Sequence, residues 1–286
     1  MKTEDRHTKA EDIDILPLDE VLLSLARDYE RVSSAVRGAV GQIASLVEDA
    51  VDRFKKGGDI IYIGAGTSGR LGVMEAAEIY PTFGVSKRVR AVIAGGNEAV
   101  FSSKEGAEDD ENAGRLAVKG MKSADMLIGI SASGSTPFVL SALREAKTRG
   151  MGAWLITSNR VEYKFLDGVV FLDTGPEMVA GSTRMKAGTA AKVALNMIST
   201  SLMIRLGRVY RGYMVDLVPM SEKLKRRATG IVSSLTGASA DEARELLERT
   251  NWKTKVALVV KKKGITPEEA EKLLNEKGGF LRDILG

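Results

Sequence analysis

Asp59-Ile60-Ile61-Tyr62-Ile63-Gly64-Ala65-Gly66-Thr67-Ser68-Gly69 decides the fold. Its first half is a short, unbroken apolar run, the pattern of a strand buried on both faces rather than one with a wet side. Its second half satisfies G-x-G-x-x-G and leads into a helical pattern from Ser68 to about Glu78. A buried strand that turns through glycines into a helix is the repeating unit of an open α/β sheet. The unit recurs downstream, with strands expected over 90–95, 125–131, 152–157 and 169–172 and helices over 108–121, 136–148 and about 182–206. The fold class is therefore α/β: a doubly wound parallel five-stranded sheet in three layers.

The flanks read differently. Residues 1–17 are charged and suit an extended arm, and 19–56 carry Val21, Leu22, Leu25, Val32, Val36, Val40, Ile43, Leu46, Val47 and Val51 at helical spacing. Beyond residue 221 the apolar strands stop, and 239–250, 253–263 and 267–276 read as short helices. Ser239 and Thr266 stand at capping positions, the latter followed by Pro267 at the first helical position. The expected division is 1–56 as arm and helices, 57–230 as the sheet domain, and 231–286 as a small helical C-terminal domain, joined near 230–238.

Composition removes whole classes of chemistry. The 286 residues include no cysteine, which rules out disulfides, thiolate zinc and a cysteine nucleophile. The single histidine, His7, stands near a polar terminus, which speaks against a histidine triad, and one histidine cannot make a multi-histidine metal site. Acid–base work therefore falls to carboxylates, lysine or tyrosine. A net charge of +4 helps to attract anions but is far from a nucleic-acid footprint, and Lys261-Lys262-Lys263 suits a solvated helix end. There is no apolar signal core near the start and no run approaching the roughly 20 apolar residues of a membrane span. The expectation is a soluble cytoplasmic protein with neither a membrane nor a nucleic-acid partner.

Two loops follow buried strands and open helices, where open sheets bind ligands. In the first, Gly66 lets the backbone approach an anion, and Thr67 and Ser68 add hydroxyls to the helix amides. A dinucleotide site would need an acidic residue at the end of the next strand, which here closes on Ala94-Gly95-Gly96-Asn97, with Glu98 arriving late. A phosphate monoester fits better, although a dinucleotide or an unliganded turn stays open on this loop alone. The second, Ser131-Ala132-Ser133-Gly134-Ser135-Thr136-Pro137, holds more hydroxyls than a helix cap requires. Together, Gly66, Thr67, Ser68, Ser131, Ser133, Gly134, Ser135 and Thr136 suit a phosphosugar.

A third stretch, Gly181-Ser182-Thr183-Arg184-Met185-Lys186-Ala187-Gly188-Thr189, opens the long helix. Arg184 and Lys186 could offset phosphate charge; equally, Ser182 or Thr183 could do no more than cap the helix. Carboxylates gather at Glu75 and Glu78 and in the run Glu105-Gly106-Ala107-Glu108-Asp109-Asp110-Glu111. Such a run commonly complements a helix dipole, but crowding also raises carboxylate pKa values and makes better bases.

Ile63–Val73, Pro81-Thr-Phe-Gly84, Ala94-Gly-Gly96, Glu105–Asp110, Gly181–Thr189, Leu195–Thr200 and Met214-Val-Asp216 occur in one order. In that order they resemble the N-acetylmuramic acid 6-phosphate etherases of the sugar isomerase (SIS) fold family. The resemblance runs from about residue 10 to 250, and the vertebrate glucokinase regulator shares it. It implies a lyase that expels D-lactate from C3 of a phosphorylated amino sugar, without metal or cofactor, and a homodimer. By motif, Glu78 matches the acid that protonates departing lactate, and Glu108 the second catalytic glutamate, assigned as the C2 base. Ile79 and Tyr80 stand where the family has Cys-Pro, and Ser135 where an arginine is common. A phosphosugar isomerase and a non-catalytic phosphosugar sensor are the alternatives.

Overall fold

The computed structural model describes residues 2–286, so residue 1 of the expected arm lies outside the described residues. The chain divides into two compact units, one running up to residue 77 and over 88–199, the other made of 78–87 and 200–286. That division differs from the three segments expected above.

In the first unit a parallel sheet is built from β1 (Ile60–Gly64), β2 (Val89–Ile93), β3 (Met126–Ile130), β4 (Gly152–Thr157) and β5 (Gly168–Phe171), ordered β2-β1-β3-β4-β5. Every residue of β1, β3 and β4 is buried, as their unbroken apolar runs require. Ile61, Ile63 and Leu127 pack with Val139 and Leu143 of α5 (Pro137–Thr148). Tyr62 points to the other face, where Gly72 of α3 (Gly66–Phe83) comes so close that an added Cβ would lie 3.0 Å from the Tyr62 Cβ. Burial, and then the charge of Glu75, push the Tyr62 phenol far up. The expected helix over 19–56 is two helices, α1 (Leu18–Gly38) and α2 (Val40–Lys55), interrupted at fully buried Ala39. The acidic run forms a short 3-10 turn, Ala107–Asp109, before α4 (Glu111–Ala117).

Chain order against sheet order places the switch point between β1 and β3: the chain leaves β1 for β2 on one side and returns to β3 on the other. Gly64 and Ile130 are register partners, so the loops after β1 and β3 emerge side by side at the carboxyl edge. That crevice is where open sheets of this order take ligands.

The helical unit has its own core, in which Val215, Leu217, Ala228, Ile231, Val232, Leu246, Leu247, Val256 and Leu258 are buried together. After α6 (Lys186–Arg205), short strands β6 (Val209–Tyr210) and β7 (Tyr213–Met214) form a hairpin. The helices α7 (Glu222–Thr236), α8 (Ala240–Arg249), α9 (Thr254–Lys263), α10 (Pro267–Glu276) and α11 (Arg282–Leu285) follow. The expected join near 230–238 falls on the second half of α7 and its Gly237 cap. Ile231 and Val232 there are buried core residues, so the sequence pattern hid a helix that belongs with those after it. Both capping boxes form, at Ser239 with Glu242 and at Thr266 with Glu269.

Candidate active site

A cavity of about 420 Å³ opens at the switch point, lined by Gly66, Thr67 and Ser68 from the first loop and by Ser131, Ser133, Ser135 and Thr136 from the second. Glu108, Asp109, Thr183 and Glu4 complete much of the wall. Its size suits a small ligand such as a sugar phosphate.

The first loop is shaped by close approach. A Cβ on Gly69 would lie 2.7 Å from the Gly64 carbonyl oxygen and 2.6 Å from Ile93 Cγ1, so the strand–helix turn closes only with glycine there. The tight turn starts α3 at Gly66 and leaves its first-turn amides without intrahelical acceptors, next to the Thr67 and Ser68 hydroxyls.

The second loop is held by its own hydroxyls. Ser131 Oγ, which is buried, lies 2.7 Å from Thr136 Oγ1 and 3.2 Å from Ser133 Oγ, and accepts from Gly134 N at 3.0 Å. Ser133 Oγ in turn accepts from Ser135 N and Ser135 Oγ, each at 3.2 Å. Gly134 turns behind the wall at φ 76°, with its carbonyl held by Tyr163 at 3.0 Å. A Cβ at Gly134 would meet Thr157 Oγ1 at 2.8 Å and Val161 Cγ1 at 2.9 Å. The result is a preorganised ring of hydroxyls, with α5 starting at Pro137 just behind it.

The acidic run separates by task. Asp110 caps α4, accepting from Ala113 N at 2.8 Å, and Glu111 pairs with Arg115 at 3.4 Å. Glu108 does neither. It lines the cavity and has no hydrogen bond or ion pair among the described residues, so its carboxylate is not committed elsewhere in the fold.

Against this geometry stand the relatives. An N-acetylmuramic acid 6-phosphate etherase of Clostridium acetobutylicum is 42% identical, the match covering 98% of this chain and 95% of the relative. The enzyme of that name from Geobacillus thermodenitrificans is also 42% identical, over 100% of this chain and 98% of its own length. This chain belongs to the N-acetylmuramic acid 6-phosphate etherase family. Residues 42–147 also match the glucokinase regulatory protein N-terminal SIS domain, and 233–259 a UBA-like domain. Among solved structures, phosphoheptose isomerase from Neisseria gonorrhoeae is 17% identical with a TM-score of 0.48, over 64% of this chain and 97% of that one.

The remaining candidates of the etherase chain lie elsewhere. Lys186 is buried, with Nζ donating to Asp28 Oδ1 at 2.6 Å and the Pro176 carbonyl at 2.8 Å, and it does not line the cavity. Arg184 is exposed and also absent from the lining. Nor do Ser182 and Thr183 cap α6: the Glu177 carboxylate accepts from Lys186 N at 3.0 Å and Ala187 N at 2.8 Å. An acid at this helix start already occupies the place a phosphate would take. Burial pushes Glu177 above the ordinary carboxylate range despite those amides and the nearby Lys186.

The two glutamates of α3 also part company. Glu75 is buried and accepts from Lys192 Nζ at 2.7 Å, Asn196 Nδ2 at 2.9 Å and Ser199 Oγ at 2.5 Å, which commits it to the α3–α6 packing. Glu78 is exposed in the fourth turn of α3 and is not among the residues lining the cavity. Glu4, which lines the cavity, was not among the site residues expected from the sequence. Among the described residues, no group of three acidic or histidine side chains is placed to hold a metal.

Proposed function

We propose that this chain is a carbon–oxygen lyase that converts N-acetylmuramic acid 6-phosphate into N-acetylglucosamine 6-phosphate and D-lactate. What carries the reading is the unpaired Glu108 beside two hydroxyl loops in one cavity, in a chain 42% identical to named etherases over nearly its whole length. Thr67, Ser68, Ser133, Ser135 and Thr136 hold the phosphate, with Ser131 and Gly134 fixing the second loop from behind.

In the open-chain sugar the C2 proton is acidic because it lies α to the aldehyde. Glu108 removes it; the electron pair forms the C2–C3 double bond, and the C3–oxygen bond breaks. By the family motif the departing lactate oxygen takes a proton from Glu78, a role that the resemblance supplies and the cavity lining does not. Water then adds at C3, activated by Glu108, and C2 regains a proton. The protein works as a homodimer in the cytoplasm, where amino sugars of the cell wall are reused. No helix among the described residues is long and apolar enough to cross a membrane.

Purified protein is expected to release D-lactate from N-acetylmuramic acid 6-phosphate, and a folded preparation that releases none would overturn the reading. In deuterated water, Glu78→Ala is expected to keep deuterium entry at C2 while lactate loss collapses. Loss of exchange as well would mean the roles of the two glutamates are misassigned.

A further inference from the structure

The described chain begins by entering the site. Lys2–Glu4 forms a 3-10 turn in which Thr3 is fully buried. Asn159, just past β4, clasps Thr3 twice: Asn159 Nδ2 donates to Thr3 Oγ1 at 2.8 Å, and Thr3 N donates to Asn159 Oδ1 at 3.4 Å. Asn159 is tied to the second hydroxyl loop through Nδ2 and the Ala132 carbonyl at 3.0 Å. The Thr3 carbonyl accepts from Gly181 N at 3.2 Å, in the loop that carries Thr183. The turn is thus latched to two loops that line the cavity, and a buried threonine with satisfied polar atoms is a firm anchor.

The latch delivers the next side chain into the cavity wall. Glu4 Oε1 lies 3.5 Å from Thr3 Oγ1, and Oε2 packs against Gly181, where a Cβ would come within 3.0 Å of it. No cation pairs with Glu4 among the described residues. It joins Glu108 and Asp109 as a carboxylate in a lining otherwise rich in hydroxyls and helix-start amides. A phosphate prefers the amides and is repelled by the carboxylates. A ligand whose phosphate sits on the amides therefore offers Glu4 its neutral donors, and a carboxylate accepts from these more strongly than a neutral group does.

We infer that Glu4 is a substrate-contacting residue, whose carboxylate accepts hydrogen bonds from hydroxyl or amide N–H groups of the sugar and so fixes which way round the phosphosugar lies. The identity of the sugar rests on the etherase reading. The polarity of the cavity does not.

The test uses the full-length protein and two probes, N-acetylglucosamine 6-phosphate and inorganic phosphate, titrated calorimetrically into wild type, Glu4→Gln, Glu4→Ala and Lys2→Ala. Lys2 is a control on the same turn; it is exposed and pairs with Asp173 at 3.5 Å outside the cavity. Loss of hydrogen bonds to a charged acceptor should weaken the sugar phosphate about tenfold or more in Glu4→Ala, and by less in Glu4→Gln. Inorganic phosphate affinity, melting temperature and the Lys2→Ala protein should stay within about twofold or a degree of wild type. Equal weakening of both probes would reduce Glu4 to a structural prop, and unchanged sugar-phosphate affinity would remove it from the site; either overturns the inference. Should wild type bind the sugar phosphate but release no lactate, the etherase reading fails and this contrast still stands.

Discussion

The cavity over the sheet is smaller than a second cavity of about 710 Å³ in the helical unit, yet the smaller one carries the two hydroxyl loops and a glutamate without an ion pair among the described residues. In the larger cavity the charges answer one another. Lys255 Nζ lies 2.5 Å from Asp216 Oδ2, Arg208 reaches the same oxygen at 3.3 Å, and Lys253 pairs with Glu271 at 2.6 Å. Burial pushes Lys255 below its ordinary range, against the pull of Asp216. In the smaller cavity the side chains of Thr67, Ser68 and Glu108 have no hydrogen bond or ion pair among the described residues. Volume measures where the chain leaves space; the groups without partners show where it awaits one.

The sharpest way to break that contrast is to neutralise Glu108. Glu108→Gln is expected to lower the rate of lactate release about a thousandfold while leaving product binding measurable, as removal of a general base does. Lys255→Met should leave the rate unchanged once folded. If the helical-unit change abolished turnover and Glu108→Gln did not, the two cavities would have exchanged roles.

Stability should respond in the opposite sense. Lys255→Ala leaves Asp216 in a largely buried position with Arg208 as its remaining ion-pair partner and is expected to cost about 1–3 kcal/mol in urea unfolding, whereas the double change Lys255→Met with Asp216→Leu should recover part of that loss. Thr67→Ala with Ser68→Ala is expected to shift stability by no more than about 0.5 kcal/mol, as for partly exposed groups without partners. It should still weaken inorganic phosphate binding about tenfold.

Gly134→Ala tests the scaffold rather than the contacts. The left-handed backbone and the close Thr157 and Val161 atoms make it cost about 1–3 kcal/mol, with phosphate affinity falling because the hydroxyl ring shifts. The smallest effect is a titration. Glu177 is raised in the fold, so near its unfolded value the native state binds more protons than the unfolded one. Stability should then decline as pH climbs from about 4.3 toward the folded value. Urea midpoints between pH 4 and 7 would show this slope, and Glu177→Gln should flatten it.

What the sequence made legible follows from range. β1, β3 and β4 are local apolar runs, and the loops after β1 and β3 announce themselves by glycine and hydroxyl content. Glu108 and Asp110 are adjacent in kind and nearly so in position, and only the start of α4 shows that Asp110 is the cap. Lys186 reads as a phosphate ligand until Asp28, far away in sequence, claims it. Glu177 as the cap of α6 lies nine residues before Lys186, too far back for a capping pattern to show. Glu4 enters only through a bond between Thr3 and Asn159, a partnership no local pattern encodes.

Gly181 bears on how this site can diverge. Its φ of 73° and its contact with Glu4 constrain the same residue from two directions, one local and one set by a segment near the start of the chain. While the glutamate remains, a side chain at 181 meets its carboxylate at 3.0 Å, and the carboxylate must shift slightly to admit it. In a lineage that lost the glutamate only the backbone constraint would persist, and asparagine, which tolerates the left-handed region, would become admissible. Positions 4 and 181 are therefore expected to vary together across related sequences, leaving a record of the latch in their substitution history.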